Sequence, residues 1–228
     1  MPIQLAFDGT VKLIKPFLVR DLHVVIDCNA GHCAEEAAKL AEPADAHALW
    51  LRLAFAVTSV NSPFDATCKA WLAMQDTDPA DWPAIRDALR VRGSDGVVSY
   101  QPTKTRWLTN IWYDMTRNGV SYWPDLPDLQ YRDYLRSSVT GLAWAKSSFA
   151  VMLVKGSADV ACIDTHMHRI LTGRIPGKQI RKELYVKLEQ SVRRLAKRHG
   201  IPCSVAQHAI WDAARGVRSP LLPERNAA

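Results

Sequence analysis

Lys146 and Asp164 lie 18 residues apart in the segment from Gly141 to Leu171, which is the most informative part of the chain. A lysine supplies an amine nucleophile, and an aspartate supplies a carboxylate that stabilises positive charge on a carbon under attack. The apolar stretch between them predicts a helix that would hold both groups at one cleft. An amine and a carboxylate in that arrangement provide the chemistry that breaks an N-glycosidic bond.

A helical hairpin is predicted to position the lysine. Apolar spacing predicts helices over residues 129–139 and 143–154, joined by a turn that contains Gly141. A helix N-terminus attracts anions, and glycine lets the backbone approach a ligand closely, so this turn would bind a DNA phosphate through its N–H groups. The alternative is an ordinary helical hairpin with no ligand.

Each of the two charged residues also has an ordinary structural interpretation. Lys146 would lie in the first turn of its helix, where the positive helix end and desolvation favour the uncharged, nucleophilic amine. Alternatively, it is a surface lysine that lies over Trp144. Asp164 is predicted to cap the next helix by accepting a hydrogen bond from the backbone of His166 or Met167. A capping carboxylate can also stabilise charge on a sugar, so its two roles are compatible.

The rest of the chain is predicted to be almost entirely helical. Apolar periodicity and helix breakers predict helices over residues 47–60, 63–74, 81–91, 104–117, 179–197 and 204–215, and a short extended segment over 97–100. The predicted N-caps are Ser62, Asp128 and Ser204. This pattern favours an all-α, two-lobed fold with a cleft between the lobes. We expect one domain over 1–228, with lobe one at about 46–125, a hairpin lobe at about 126–173, and basic helices at 179–216 that pack back.

The composition excludes several classes of protein. The chain is 48% hydrophobic but has no uninterrupted apolar run long enough to span a membrane, and its first residues do not resemble a signal peptide. Its five cysteines have no framework spacing and are expected to be reduced, as in the cytoplasm. Cys28, His32 and Cys33 are close in sequence, but no second Cys/His pair follows at zinc-site spacing. We therefore expect no metal and no cofactor.

The net charge of +6 is unevenly distributed. Residues 169–198 contain ten Lys or Arg and two Glu, whereas residues 21–45 contain six acidic residues and one Lys. A basic segment of this kind favours a polyanion such as double-stranded DNA, because neutralised phosphates release counterions. The alternative is a solvated basic helix face. The acidic segment either packs on the core or contacts a partner.

The segment Ile163-Asp-Thr-His-Met-His-Arg169, preceded by Lys146, resembles the helix–hairpin–helix Gly/Pro–Asp (HhH-GPD) DNA glycosylase superfamily. Bifunctional members of that superfamily carry a lysine in the second hairpin helix and an aspartate in a similar Val/Ile-Asp-Thr-His run. Residues 55–62 and the predicted helix after them resemble the segment whose polar side chain fills the gap left by a flipped nucleotide, and Asn61 is the corresponding residue. Residues 104–111 match more weakly, so the resemblance covers about residues 46–173.

The chain also departs from the family pattern. The usual hairpin reads Gly-Val/Leu-Gly-x-Lys, whereas this chain reads Gly141-Leu-Ala-Trp-Ala-Lys146, with one extra residue and no second glycine. No closely spaced cysteines follow that would hold an iron–sulfur cluster, as in the endonuclease III and adenine-glycosylase branches. The cluster-free helical pattern is nearer to the compact archaeal 8-oxoguanine glycosylases.

The resemblance implies a monomeric enzyme of base excision repair that flips a base out of DNA, with glycosylase and AP-lyase activities. Lys146 would attack the sugar carbon and form a Schiff base, and Asp164 would stabilise the oxocarbenium-like centre. The implied DNA-binding residues are Asn61, Gly141, Leu142, Ala143, His166, His168 and Arg169. The candidates to line the base pocket are Trp107, Trp144 and Phe149. The protein would act at the nucleoid or in the cytoplasm of a phage-infected bacterium.

Two other functions fit the same sequence. Relatives of this fold in bacteriophages are thought to transfer an amino acid or polyamine to an activated 5-hydroxymethyluracil in DNA, and the altered hairpin is consistent with such a transferase. The second is a non-catalytic DNA-binding module that keeps only the scaffold. An intact Lys146 and Asp164 pair argues against the second alternative.

Overall fold

The computed structural model describes residues 3–5, 11–13, 19–41, 44–119, 122, 125–176, 180–216 and 218–223. Within these residues the chain forms ten helices and two short antiparallel ribbons, which confirms the predicted helical fold class. The helices are α1 Val19–Ala41, α2 Ala46–Thr58, α3 Phe64–Met74, α4 Trp82–Ala88, α5 Gln101–Thr116, α6 Asp128–Ser138, α7 Trp144–Lys155, α8 Thr165–Thr172, α9 Lys182–His199 and α10 Cys203–Arg215. Strands β1 Ile3–Leu5 and β2 Val11–Leu13 form one ribbon, and β3 Arg92–Gly93 and β4 Gly96–Val97 form the other. Among the helices of the described residues, none is long and apolar enough to cross a membrane.

The chain divides into two compact units. The first, which we call the terminal unit, contains residues 1–42 and 155–221. The second, which we call the central unit, contains residues 43–154 and 222–228. The terminal unit therefore combines α1 with α8, α9 and α10, whereas the central unit contains α2 to α6 and nearly all of α7.

Helix α1 of the terminal unit was not predicted, although it is 23 residues long. Its buried residues Leu22, Val25, Ile26, Cys33 and Ala37 recur at helical spacing and form one apolar face. This face packs against α10. Four acidic residues obscure the pattern in the sequence, and two of them, Asp21 and Glu36, are buried. The acidic segment therefore packs on the core of its unit.

The connection after α7 is fixed by two close contacts within the terminal unit. Gly156 has φ +71°, and a Cβ at this position would lie 2.0 Å from the carbonyl oxygen of Ala37 in α1. The Oγ of Ser204 accepts a hydrogen bond of 2.9 Å from the backbone of Ala158.

The prediction that Ser204 caps the last helix is wrong, because Pro202 holds the N-cap position and Ser204 is buried inside α10.

Helix α2 lies at the core of the central unit, with Leu53, Ala54 and Phe55 fully buried. The side chain of Asp45 caps it by accepting a 2.7 Å hydrogen bond from the backbone of Ala48. The indole of Trp50 donates to the carbonyl of Leu108 at 3.0 Å and joins α2 to α5.

Three further predictions about the central unit need correction. Ser62 is not the cap of α3, and Asp128 is not the cap of α6, because Pro63 and Pro127 occupy those N-cap positions. Of the predicted extended segment over 97–100, only Val97 lies in a strand, where it pairs with Arg92.

Candidate active site

The predicted helical hairpin is present in the central unit, where residues 139–143 connect α6 to α7. Gly141 has φ +95°, a conformation that favours glycine. The backbone of Leu142 donates to the carbonyl of Val139 at 3.2 Å, and that of Ser147 donates to Ala143 at 2.8 Å. The N–H groups of the first turn of α7 have no acceptors within the helix, so this turn has the polarity that suits an anion.

Gly141 is also required by the packing of the turn, because a Cβ there would lie 2.5 Å from the ring of Trp107. We expect Gly141→Ala to lower the free energy of unfolding by about 2–4 kcal/mol, since it adds overpacking to backbone strain. Gly119→Ala is the matched control: Gly119 has φ +62° but nothing within 4 Å of its Cβ position, so only strain is added. Urea denaturation measures both. Equal losses in the two variants would contradict the role assigned to Trp107.

Lys146 lies in the first turn of α7 and is half-buried. Its Nζ lies 5.3 Å from the ring centroid of Phe149, within cation–π range. The Phe149 ring lies 5.9 Å from Phe55, and Phe55 lies 5.9 Å from Trp71. The amine therefore lies over an aromatic cluster formed by Phe149, Phe55 of α2 and Trp71 of α3.

A second lysine, Lys104, holds the turn that carries Asn61. The side chain of Lys104 is fully buried, and its Nζ donates to the carbonyls of Thr58 at 2.7 Å and Val60 at 2.5 Å. It also donates to the Oγ of Ser62 at 2.7 Å. Asn61 lies between these acceptors and is exposed, with φ +50°, a left-handed conformation that asparagine tolerates better than most residues. Lys104 thus fixes the position of Asn61 from inside the core.

Lys104 also lies close enough to Lys146 for the two charges to interact. Burial, and to a smaller extent the positive charge of Lys146, lowers the pKa of Lys104 to about 7. A low pKa favours the uncharged form of an amine, which is the nucleophile. The Nζ of Lys104, however, is held by hydrogen bonds to three acceptors, which is the full number that an ammonium can serve. Lys104 is moreover inaccessible, whereas Lys146 is half-buried. Lys146 is therefore the better placed of the two to attack a substrate.

The sequence interpretation missed the role of Lys104, although its segment was included in the resemblance. Its position at i−4 and i−7 from the buried Leu108 and Ile111 puts it on the apolar face of α5. A charged residue on the apolar face of a helix is the signal that would have identified it, because such a group must find partners in the core.

The three aromatic residues expected in a base pocket have different surroundings. Phe149 lies next to the Lys146 amine, as described above. Trp107 lies against Gly141 at the hairpin turn. Trp144 lies under the guanidinium groups of Arg132 and Arg136, at 4.9 and 4.6 Å from its ring centroid. These contacts of Trp107 and Trp144 stabilise the hairpin, so Phe149 is the strongest of the three candidates for contact with a base.

Asp164 and the residues that follow it lie in the terminal unit. Asp164 is half-buried and caps α8 as predicted, because its Oδ1 accepts a 2.8 Å hydrogen bond from the backbone of Met167. His168 is only 6% exposed, and its Nδ1 lies 2.9 Å from the carbonyl oxygen of Arg174, which follows the C-cap of α8. His166 is exposed and Arg169 is half-buried. His168 thus has a structural role, and His166 is the more accessible histidine.

Similarity to known proteins is found in the structure rather than in the sequence. No family model matches the chain, and no curated protein matches it. An 8-oxoguanine DNA glycosylase from Thermotoga maritima superposes with a TM-score of 0.66 at 17% identity, over 88% of this chain and 97% of that one. The chain has the helix–hairpin–helix fold of DNA glycosylases.

Two further glycosylase structures, both from Methanocaldococcus jannaschii, agree with this assignment. An 8-oxoguanine DNA glycosylase gives a TM-score of 0.65 at 13% identity, over 88% of this chain and 95% of that one. An 8-oxoguanine glycosylase/lyase in complex with a 15mer DNA containing 8-oxoguanine gives 0.63 at 17% identity, over 90% and 95%. At this level of identity the likeness establishes the glycosylase fold, which is the fold that the motifs around Lys146 and Asp164 predict.

Proposed function

We propose that this chain is a DNA glycosylase with AP-lyase activity, and that Lys146 is its nucleophile. The observation that carries the proposal is a half-buried lysine in the first turn of α7, directly after the helical hairpin of a glycosylase fold. Asp164 supports it, because this carboxylate follows at the start of α8. The substrate class is double-stranded DNA with an oxidised purine, and 8-oxoguanine is the first base to test.

The proposed reaction begins with attack of the neutral Lys146 amine on C1′ of the damaged nucleotide. The new N–C1′ bond replaces the bond to the base, which leaves with its electron pair and takes up a proton. The C1′–O4′ bond then breaks, O4′ takes up one proton from the amine, and a protonated Schiff base remains between Nζ and C1′. Removal of a proton from C2′ then breaks the C3′–O bond and cuts the strand, and hydrolysis of the Schiff base frees the lysine.

The other candidate residues are assigned to DNA positioning. The backbone of residues 141–143 would bind a phosphate at the N-terminus of α7. Asn61, exposed on a turn held by Lys104, would occupy the gap left by the extruded nucleotide. Phe149 would contact the extruded base next to the amine, and the accessible His166, with Arg169, would contact the backbone near Asp164.

Borohydride trapping tests the proposal. The protein is incubated with duplexes that contain 8-oxoguanine, uracil, an abasic site or an activated 5-hydroxymethyluracil that carries a leaving group on its hydroxymethyl oxygen, and the imine is reduced. We expect a covalent adduct with at least one base lesion and with the abasic site. A mass gain on the activated 5-hydroxymethyluracil when an amino acid is supplied, with no adduct, would identify a transferase instead. Salt-dependent binding without either reaction would identify a DNA-binding module.

Substitution of Asp164 separates its capping role from its catalytic role. We expect Asp164→Asn to keep the hydrogen bond to Met167, because asparagine caps helices as well as aspartate does. It removes the negative charge, and base excision should fall by about 10²–10⁴-fold while stability stays within about 1 kcal/mol. Asp164→Ser, which also caps, should have the same two effects. Single-turnover excision and urea denaturation measure them, and full activity in Asp164→Asn would restrict this residue to the cap.

A further inference from the structure

Three metal-ligating side chains meet in the core of the terminal unit. Cys33 comes from α1, and His208 and Asp212 come from successive turns of α10. Their ligand atoms all lie within 4.8 Å of one another, and each of the three residues is at most 3% exposed. The His208 Nε2 lies 3.6 Å from the Asp212 Oδ2, which also accepts a 3.0 Å hydrogen bond from the backbone of Ser219.

Several polar atoms around this cluster have no hydrogen-bond partner in the described part of the chain. They are Nδ1 of His208, Oδ1 of Asp212 and Nε2 of His32, all of which are buried. The His32 ring lies 6.5 Å from the His208 ring, centroid to centroid. A buried polar atom without a partner costs about 1–3 kcal/mol, so three in one place indicate a missing ligand.

We propose that Cys33, His208 and Asp212 bind a Zn²⁺ ion, with His32 as the fourth ligand. The site was not expected from the sequence, which predicts no metal. It lies in the terminal unit and does not depend on the proposed glycosylase activity.

The donor set fits zinc better than the other common cations. Thiolate and imidazole ligands select zinc and similar transition metals, whereas magnesium and calcium prefer sites made of oxygen atoms. A tetrahedral zinc ion with bonds of about 2.0–2.3 Å separates its ligand atoms by roughly 3.3–3.8 Å. The limit of 4.8 Å between the ligand atoms of Cys33, His208 and Asp212 therefore requires a side-chain movement of about 1 Å at the widest pair. His32 lies outside this group, with its ring 6.5 Å from that of His208, and has to move further towards the ion.

Charge balance also favours a divalent cation at this buried position. On binding, the Cys33 thiol would release its proton to solvent, and the thiolate and the Asp212 carboxylate would together neutralise the two positive charges. The ion would link α1 to α10 across 175 residues of chain and would stabilise the terminal unit.

Cobalt(II) uptake tests the site directly, because a cobalt–thiolate bond gives a charge-transfer band in the near ultraviolet. We expect the metal-free full-length protein to bind one equivalent of cobalt with this band, and zinc to displace it. Cys33→Ser should lose the band, and His208→Gln should weaken cobalt binding. Cys203→Ser is the matched control, because Cys203 is equally buried in the same unit but lies outside the cluster.

Two further measurements keep the test independent of misfolding. Cys28→Ser should keep the band, because Cys28 is exposed. A band that disappears in Cys28→Ser and persists in Cys33→Ser would overturn the site. In the wild-type protein, zinc should raise the melting temperature, and magnesium should not. Wild-type protein that shows neither a cobalt band nor a zinc-dependent shift contains only a hydrated polar cluster, and the proposal would then be wrong.

Discussion

Replacing Lys146 with glutamine is expected to abolish the borohydride-trapped adduct and the strand cut at an abasic site. Glutamine is polar and only one atom shorter than lysine but has no nucleophilic amine, so no Schiff base can form. The free energy of unfolding should change by less than about 1 kcal/mol, because Lys146 is half-buried and lies beside Phe149 rather than in a salt bridge of the described residues. Gel electrophoresis after reduction measures the adduct.

Two lysines of the central unit serve as controls for this result. Lys69→Gln alters an exposed lysine that pairs with Asp65 at 3.4 Å, and it should leave the adduct unchanged. Lys104→Met should slow adduct formation without preventing it, because Lys104 positions Asn61 and does not reach the substrate. An adduct that persists in Lys146→Gln and disappears in Lys104→Met would show that Lys104 is the nucleophile, and it would refute the role proposed for Lys146.

Lys104→Met is also expected to have the second large effect, through the turn of residues 58–62. The substitution leaves the carbonyls of Thr58 and Val60 and the hydroxyl of Ser62 without their shared donor. Val60 keeps the Ser62 hydroxyl as a donor and Ser62 keeps the backbone N–H of Ser99, so the carbonyl of Thr58 is the acceptor left unsatisfied. An unsatisfied buried acceptor costs about 1–3 kcal/mol, so we expect a loss of about 1–3 kcal/mol at pH 9, and weaker binding of duplexes with a damaged base.

The pH dependence of this effect has a definite sign. The folded state lowers the pKa of Lys104 from 10.5 to about 7, so between these values the unfolded chain binds more protons than the folded one. Stability due to Lys104 is therefore smallest below pH 7 and increases as the pH rises towards 10.5, by at most about 1.4 kcal/mol per pH unit. The difference between wild type and Lys104→Met should grow over this range in urea denaturation. Lys69→Met, at an exposed position, should show no such trend.

The hairpin and the cap of α8 were predictable because their signals are local. Gly141 is recognisable in the sequence as a turn residue, because its φ of +95° favours glycine. Asp164 accepts a hydrogen bond from a backbone group only three residues away. The three wrong caps share one cause. Pro63, Pro127 and Pro202 hold the N-cap positions with φ near −55° and ψ near 148°. Ser62, Asp128 and Ser204 therefore lie one residue before, one residue after and two residues after a cap.

The features that the sequence did not predict depend on contacts distant in the chain. Lys104 bonds to acceptors 42 to 46 residues away, and Cys33 meets His208 only because α1 packs against α10. Local spacing carries no information about such pairs. The composition of α1 does not indicate its buried position, because two of its acidic residues, Asp21 and Glu36, are buried together with its apolar residues.

The pairing of α1 with α10 has a consequence for synthesis on the ribosome. Translation delivers residues 43–154 as one continuous stretch, so nearly all of the central unit can fold as soon as it emerges. Helix α1 emerges earlier, but α10 emerges only after the continuous stretch of the central unit, so the part of the α1 face that α10 covers stays open while residues 43–154 are made. The nascent chain should therefore depend most on chaperones at this first helix, and truncations that remove α10 should aggregate through it.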